Sequence, residues 1–512
     1  KKLPRFLIWA ATVVKWPMAS SSLNWFRAAG MLAAAAFAVL LGIRLGLWDA
    51  VASRPKVLQG DAAAAYASRE SWMSIFQNHH RVGFSHRRLQ PADAGYDLEE
   101  TVMLRVHTMG MVQELRLKSR FGLDRSLALE HFELDIESGH FRFRAWGRVS
   151  EGMLSVKTES AGAQDRIDIP AAKAIWPVAA LSEVLARTDL TPGRRYELDA
   201  FDPASLARVP VQVEVIGPDD LQLRDETVPA TRITLNFRGM IQTAWIDRNG
   251  ELLRERGLLG MRLEKTSRAQ ALAPLGLEAV PDLTEAAAIT PDRPIADPHG
   301  AARLRLRLLG SVPERLYLHG GRQSYADGLL TIRREALEHL PAQIEALPLK
   351  ALEKIYLRAE PLIQSDHEKI RGVVRSVLGE KTELSPLEQA RRLMDWIQRN
   401  IEKRPVLSMP DAISTLENRM GDCNEHAMLF AALARAAGIP CRVEAGLVYL
   451  RGKFYYHAWN LVFLGSWVTA DPLFNQLPAD VTHVRFVTGS MQQQSDLAGV
   501  LGQLQIEIMD DD

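Results

Sequence analysis

The sequence predicts an α+β chain of several domains. An N-terminal transmembrane helix comes first, then an antiparallel β-rich domain. Last is a C-terminal domain in which a helix carrying a cysteine at its N-terminus packs on an antiparallel sheet. Three observations lead there. A long apolar run, Ala28 to Trp48, follows a stretch with five cations and no acid. Short alternating runs parted by turn-type residues fill Ser71 to Leu272. From about Leu352 the periodicity turns helical, and Cys423 stands where one helix begins.

At 512 residues the chain exceeds what one ordinary core accommodates, so two or three domains are expected. Lysine plus arginine and aspartate plus glutamate both number 62, which removes any global electrostatic argument for nucleic acid as a partner. With 2 cysteines there is no disulfide framework. Function must be read from individual sites.

Residues 1–27 carry Lys1, Lys2, Arg5, Lys15 and Arg27 and read as a basic cytoplasmic segment. Residues 28–48 are long and apolar enough to cross a bilayer, with Arg44 near the far end able to snorkel to the interface. Positive charge on the N-terminal side keeps that side in the cytoplasm. The expected placement is therefore a single pass through the inner membrane, with the bulk of the chain periplasmic. A cleaved signal peptide ending near Ala50 to Ala52 is one alternative. A buried soluble helix is another, and the cations clustered before the run argue against it.

Residues 60–272 are the β-rich domain. Runs such as His140 to Val149, Val209 to Gly217 and Thr231 to Phe237 alternate, and "GPDD" and "DRNG" read as the turns between strands. One helical insertion is expected near Ala171 to Arg187. Residues 273–300, rich in proline and alanine with few periodic apolar positions, read as a linker. Residues 301–512 form the C-terminal domain, with a β-containing lead-in from Ala302 to Gly310 and a core of about 366–504. Its clearest helix spans Ser385 to Lys403: Ser385 can cap it, Pro386 suits the first turn, and Leu393, Trp396 and Ile397 share a face.

The next helix follows Gly421 and Asp422, carries apolar Met428, Leu429, Leu433 and Ala436, and ends at Gly438 and Pro440. Cys423 falls in its first turn. There the helix dipole favours a thiolate, and free amides could hold an oxyanion. Downstream, "YYHAWNLVFLGSWVTADPLFNQ" reads as a hairpin with His457 on its first strand and Asp471 at the end of its second. A two-residue loop at Gly465 and Ser466 would set Asp471 opposite Asn460, on the face away from His457. If Asp471 orients His457, the loop must have an odd number of residues or a bulge must shift the strand by one.

"GDCNEHAMLFAALARAAGIPCRV" followed by "HAWNLVFLGSWVTADPLFNQ" resembles the bacterial branch of the transglutaminase-like superfamily, relatives of papain-type thiol enzymes. The resemblance covers roughly Asp366 to Leu504. It implies a papain-like fold, with Cys423 as nucleophile, His457 as general base and acid, and Asp471 orienting the imidazole. It also implies chemistry on peptide or carboxamide bonds, by hydrolysis or acyl transfer through a thioester, as in a cysteine peptidase or transamidase. Trp459 and Trp467 are expected to shape the sheet. Two departures stand out: Cys441 occupies a position where many relatives have a small residue, and Asn460 one where an acid often follows. Asn418 lies close upstream as a candidate oxyanion donor.

The expected partner is a protein or peptide substrate, with envelope proteins and the membrane as further contacts and no nucleic acid. No cofactor and no metal is expected. Cys423, His426 and His457 would make an incomplete zinc set, and calcium would need clustered oxygen ligands. Met509 to Asp512 reads as a frayed acidic end, and His79, His80 and His86 as solvated surface or turn. A non-catalytic envelope binding or assembly factor is the competing interpretation, because the β-rich domain takes up more of the chain than the resembling one.

Overall fold

A computed structural model describes residues 67–509, except 140, 172, 225, 238, 277–280, 311, 314–315, 338–354, 381–382, 408, 490–496 and 498–503. The basic segment and the anchor expected at 28–48 lie outside the described residues. Among those described, no helix is long and apolar enough to cross a membrane.

The β-rich domain is a single 15-stranded sheet. Its first strand, Arg69–Gln77, lies in the middle and pairs on one side with His80–Pro91 and on the other with Met261–Thr266, its last. Antiparallel neighbours run outward from this seam to Ala163–Pro170 on one edge and to Arg195–Asp202 on the other, where the short strand Trp176–Pro177 adds in parallel. The alternation seen in the sequence is the reason the sheet has two faces. On Leu129–Ser138, for example, Phe132, Leu134 and Ile136 are buried while Glu130 and Glu133 are exposed. The expected helical insertion is present as Leu181–Ala186.

One turn assignment fails. Pro218, Asp219 and Asp220 are not between strands but inside one, Ala207–Leu223, paired with Thr231, Ala230 and Pro229. The register slips between Val215 and Gly217, and Gly217 takes φ +131. A bulge places glycine and proline within a strand, so the local signal resembled a turn. "DRNG" does turn: Asp247 Oδ1 accepts from the Asn249 and Glu251 amides at 2.8 Å.

The C-terminal region centres on the helix Cys423–Ala436, most of whose residues are buried. It packs on a 4-stranded antiparallel sheet ordered Trp467–Ala470, Lys453–Phe463, Cys441–Leu450, Val484–Thr488. Helices Glu368–Leu378, Pro386–Asn400 and Ala412–Asn418 surround it. Ser385 caps the second of these, accepting from the Glu388 amide at 3.3 Å, a contact worth about 1 kcal/mol. A second 4-stranded sheet contains Arg303–Leu309, and Gln505–Met509 pairs with that strand. Met509 therefore ends a paired strand, and Asp510 to Asp512 of the expected acidic end lie outside the described residues.

The segment read as a linker is packed. Asp282 caps a helical turn, Leu283–Ala287, and accepts from the Gly110 amide at 2.7 Å. Glu285 takes Lys453 Nζ at 2.9 Å and the Tyr455 hydroxyl at 2.8 Å, and Ile289 bridges to Phe454. This segment therefore ties the long hairpin of the β-rich domain to the strand that carries His457. A buried bond from Ser160 to Asp411, 2.6 Å, joins the two regions elsewhere.

Candidate active site

The start of the cysteine helix is tightly specified. A Cβ on Gly421 would lie 2.3 Å from Glu425 Cβ, so only glycine fits. Asp422 accepts from the Asn424 amide at 2.9 Å while Glu425 Oε2 accepts from the Asp422 amide at 3.0 Å, which is a capping box. Cys423 follows as the first helical residue, 2% exposed. The Ala458 backbone amide favours the thiolate form of its sulfur, so helix tip and strand meet one residue from His457.

The electrostatics differ from what the helix dipole alone suggests. Burial pushes the Cys423 thiol well above its ordinary pKa, and the carboxylates of Asp422, Glu425 and Asp471 push the same way. The resting thiol is neutral. The dipole acts only through the first turn, whereas desolvation removes the whole hydration of a thiolate, and here desolvation wins.

The hairpin has the odd-length loop that the register argument requires. Phe463 faces Trp467 across Leu464, Gly465 and Ser466, and Asn460 faces Ala470. Continued by one residue, that register brings Asp471 beside Trp459, on the face shared with His457. Asp471 Oδ2 accepts from His457 Nε2 at 2.7 Å. Its other oxygen accepts from the Leu473 and Phe474 amides at 2.7 and 2.9 Å, which fixes the carboxylate plane.

A second histidine, which the sequence did not reveal, shares that carboxylate. His483 Nε2 reaches Asp471 Oδ2 at 2.9 Å and its Nδ1 reaches Asp480 Oδ1 at 3.1 Å. Asp480 Oδ2 then meets His299 Nδ1 at 2.8 Å, on a side chain that is 71% exposed. A hydrogen-bonded series of His457, Asp471, His483, Asp480 and His299 thus runs from the buried site to the surface. Burial alone would lower the His483 pKa, but the flanking carboxylates raise it on balance. Burial would likewise raise Asp471, yet the two imidazoles hold it well below the usual carboxylate range.

The donor atoms of His457, Asp471 and His483 lie within 4.8 Å of one another, a spacing that also suits a metal. Here one carboxylate oxygen accepts from both imidazoles, so protons already satisfy the set. His426, the other ligand weighed with Cys423, turns its Nδ1 to the Asp422 carbonyl at 2.8 Å.

Around the site, Phe474 stacks on the His457 ring at 4.8 Å, and Trp459 stacks at 5.9 Å while its Nε1 donates to Glu444. The Tyr456 hydroxyl donates to Asn424 Oδ1 at 3.0 Å beside the helix start. Asn418 donates to Ser414 Oγ, so its amide is engaged within its own helix. Cys441 is fully buried on its strand, its thiol pushed up to about 12 by burial. Asn460, the residue in place of an acid, donates to the Ala427 carbonyl at 2.9 Å and pins the helix to the sheet. A cavity of about 390 Å³, lined by His299, Lys403, Tyr449, Phe474 and Asp480 among others, opens beside Phe474.

The transglutaminase-like superfamily model matches residues 372–472. That stretch is a transglutaminase-like domain and contains Cys423, His457 and Asp471, but ends before Asp480 and His483. An uncharacterized protein of Haemophilus influenzae is 36% identical over 112 residues, 19% of this chain and 28% of that protein. The chain thus matches little more than a quarter of that relative's length. Among solved structures, a β-barrel-like protein of unknown function from Brucella abortus is 12% identical, covering 40% of this chain and 97% of its own at TM-score 0.33. A candidate cysteine protease from Cytophaga hutchinsonii is 17% identical, covering 42% of this chain and 88% of its own at TM-score 0.27.

Proposed function

We propose that the chain is a thiol enzyme that acts on peptide or carboxamide carbonyls through a cysteine thioester. The single observation that carries this reading is the bond from His457 Nε2 to Asp471, on the strand whose next residue, Ala458, presents its amide to the Cys423 side. With Nε2 committed to Asp471, Nδ1 is the nitrogen left to take the Cys423 proton. Sulfur then attacks the carbonyl carbon, and the tetrahedral oxyanion rests on amides at the helix start. The imidazolium returns its proton to the leaving nitrogen as the C–N bond breaks. Water or an amine attacks the thioester in the second half, again deprotonated by His457. Because the resting thiol is neutral, proton transfer accompanies attack and no preformed ion pair is required.

The burial of Cys423 and His457 favours a second reading, in which the domain serves as a binding or assembly module without turnover. For either reading we place the chain in the inner membrane through residues 28–48 with its bulk in the periplasm, on the charge pattern of the N-terminus. The test is to incubate the full chain with a glutamine-rich protein and a fluorescent primary amine, scoring amine incorporation, peptide cleavage and ammonia release. Activity lost in Cys423→Ala and His457→Ala supports the enzyme. No product above the Cys423→Ala background in any assay, with partner capture unchanged in that variant, supports the module.

A further inference from the structure

A second cavity, of about 420 Å³, lies among the strands of the 15-stranded sheet and shares no lining residue with the surroundings of Cys423. Inward-facing residues of both halves of the sheet line it, among them Met73, Val102, Leu117, Phe121 and Ile233, and the helix Leu181–Ala186 contributes Leu181 and Leu185. That volume and that mostly apolar wall are those of a small-molecule site.

The polar groups on the wall set the charge of what fits. Arg87, Glu100, Asp202 and Glu255 line the cavity. Arg87 is already committed: its Nη1 and Nη2 donate to Glu183 at 2.8 and 2.6 Å, and Arg69 donates to the same carboxylate at 2.9 Å. Glu100 receives a hydrogen bond from Ser85 at 3.3 Å. Asp202 is tied into its own turn by the Ala204 amide and Ser205. Glu255 stands between Ala244 and Leu263 on neighbouring strands, and its carboxyl group has no hydrogen bond or ion pair among the described residues. Carboxyl groups therefore outnumber cations on the wall, and one of them lacks any partner. Desolvation, with Glu100 nearby, raises Glu255 to about 7, so it changes charge near neutrality.

We propose that this cavity binds a small amphipathic amine, its apolar body against the inner face of the sheet and its ammonium on Glu255, with Glu100 adding to the field. A ligand carboxylate or phosphate would meet Glu100 and the ionised form of Glu255, and a neutral hydrocarbon would leave the Glu255 carboxyl without a partner. The ammonium satisfies it and stabilises its ionised form, so binding near neutral pH expels a proton from the Glu255 carboxyl. The inference does not depend on the thiol chemistry proposed above.

Titration calorimetry of the full chain with octylamine, octanoate and octanol, in two buffers of different ionisation enthalpy, tests it. Saturable octylamine binding is expected, with release of a fraction of a proton and an affinity about tenfold or more above that of octanoate and octanol. Glu255→Gln preserves the shape of the wall and should lower amine affinity by a similar factor while abolishing proton release. The proposal is overturned if octylamine shows no saturable binding, if octanoate or octanol binds as well, or if Glu255→Gln binds the amine unchanged. The comparison of the three ligands uses the unmodified chain, so it decides the matter even if the variant folds poorly.

Discussion

Phe463 and Trp467 face each other across a three-residue loop, and this register is what brings Asp471 to His457. In a strand, a one-residue slip moves every side chain to the other face. Inserting one glycine after Gly465 should therefore turn Asp471 away from the imidazole while leaving the helix and sheet folded. Turnover should drop by about 10³-fold or more, the scale of losing the orienting carboxylate. Comparing kcat of the insertion variant and Asp471→Ala checks this: both should fall alike.

The thiol should behave as a buried neutral group. Alkylation of Cys423 by iodoacetamide is expected to be slow at neutral pH and to climb only above the ordinary thiol pKa of about 8.5. Cys441, pushed up to about 12, should remain unmodified throughout. A plateau of fast Cys423 alkylation reached below pH 7, followed by peptide mass mapping, would contradict the neutral resting state.

Asp422 both caps the helix and repels the thiolate. Asparagine caps about as well as aspartate but carries no charge. Asp422→Asn should thus leave the melting temperature nearly unchanged and raise Cys423 alkylation at pH 8 several-fold. Asp422→Ala should instead cost about 1 kcal/mol of stability, measurable by denaturant titration.

His483 lies buried between Asp471 and Asp480, so its charge is coupled to folding. Its pKa is raised in the folded chain; its stabilising contribution is fully present below the unfolded value of about 6.5 and is lost as pH rises through the folded value. Asp471 and Asp480 are lowered, so their contribution is present above about pH 4 and is lost as pH falls through their folded values. His483→Gln leaves two carboxylates without their shared cation and should destabilise by about 3–5 kcal/mol at neutral pH. The wild-type chain should lose stability on the alkaline side more steeply than this variant, as followed by thermal unfolding across pH.

Much of the site was legible because its parts are local. A glycine and a cap before an apolar helix place Cys423, and a hairpin pattern places His457 and Asp471 on adjoining strands. The register condition could be stated from side-chain alternation alone, although the loop length could not. His483 and Asp480 escaped because they lie beyond the matched motifs, and a histidine just ahead of a strand carries no signal of what its ring will touch. In the β-rich domain, alternation revealed strands but not their order, since the pairing of Arg69–Gln77 with Met261–Thr266 spans the whole domain. Gly217 and Pro218 misled for a physical reason: a bulge uses the same residues as a turn. The alanine- and proline-rich segment before Gly300 lacks periodicity, yet single residues such as Asp282, Glu285 and Ile289 suffice to pack it.

The central claim is that Cys423 forms an acyl thioester with His457 as its base. The most direct measurement is intact-protein mass spectrometry of the full chain, quenched in acid after brief exposure to an activated acyl donor such as a peptide thioester. The account predicts one acyl adduct on Cys423, discharged by hydroxylamine, retained in Cys441→Ala and formed at least about 10²-fold more slowly in His457→Ala. An adduct that forms equally fast without His457, or that persists in Cys423→Ala, would contradict it.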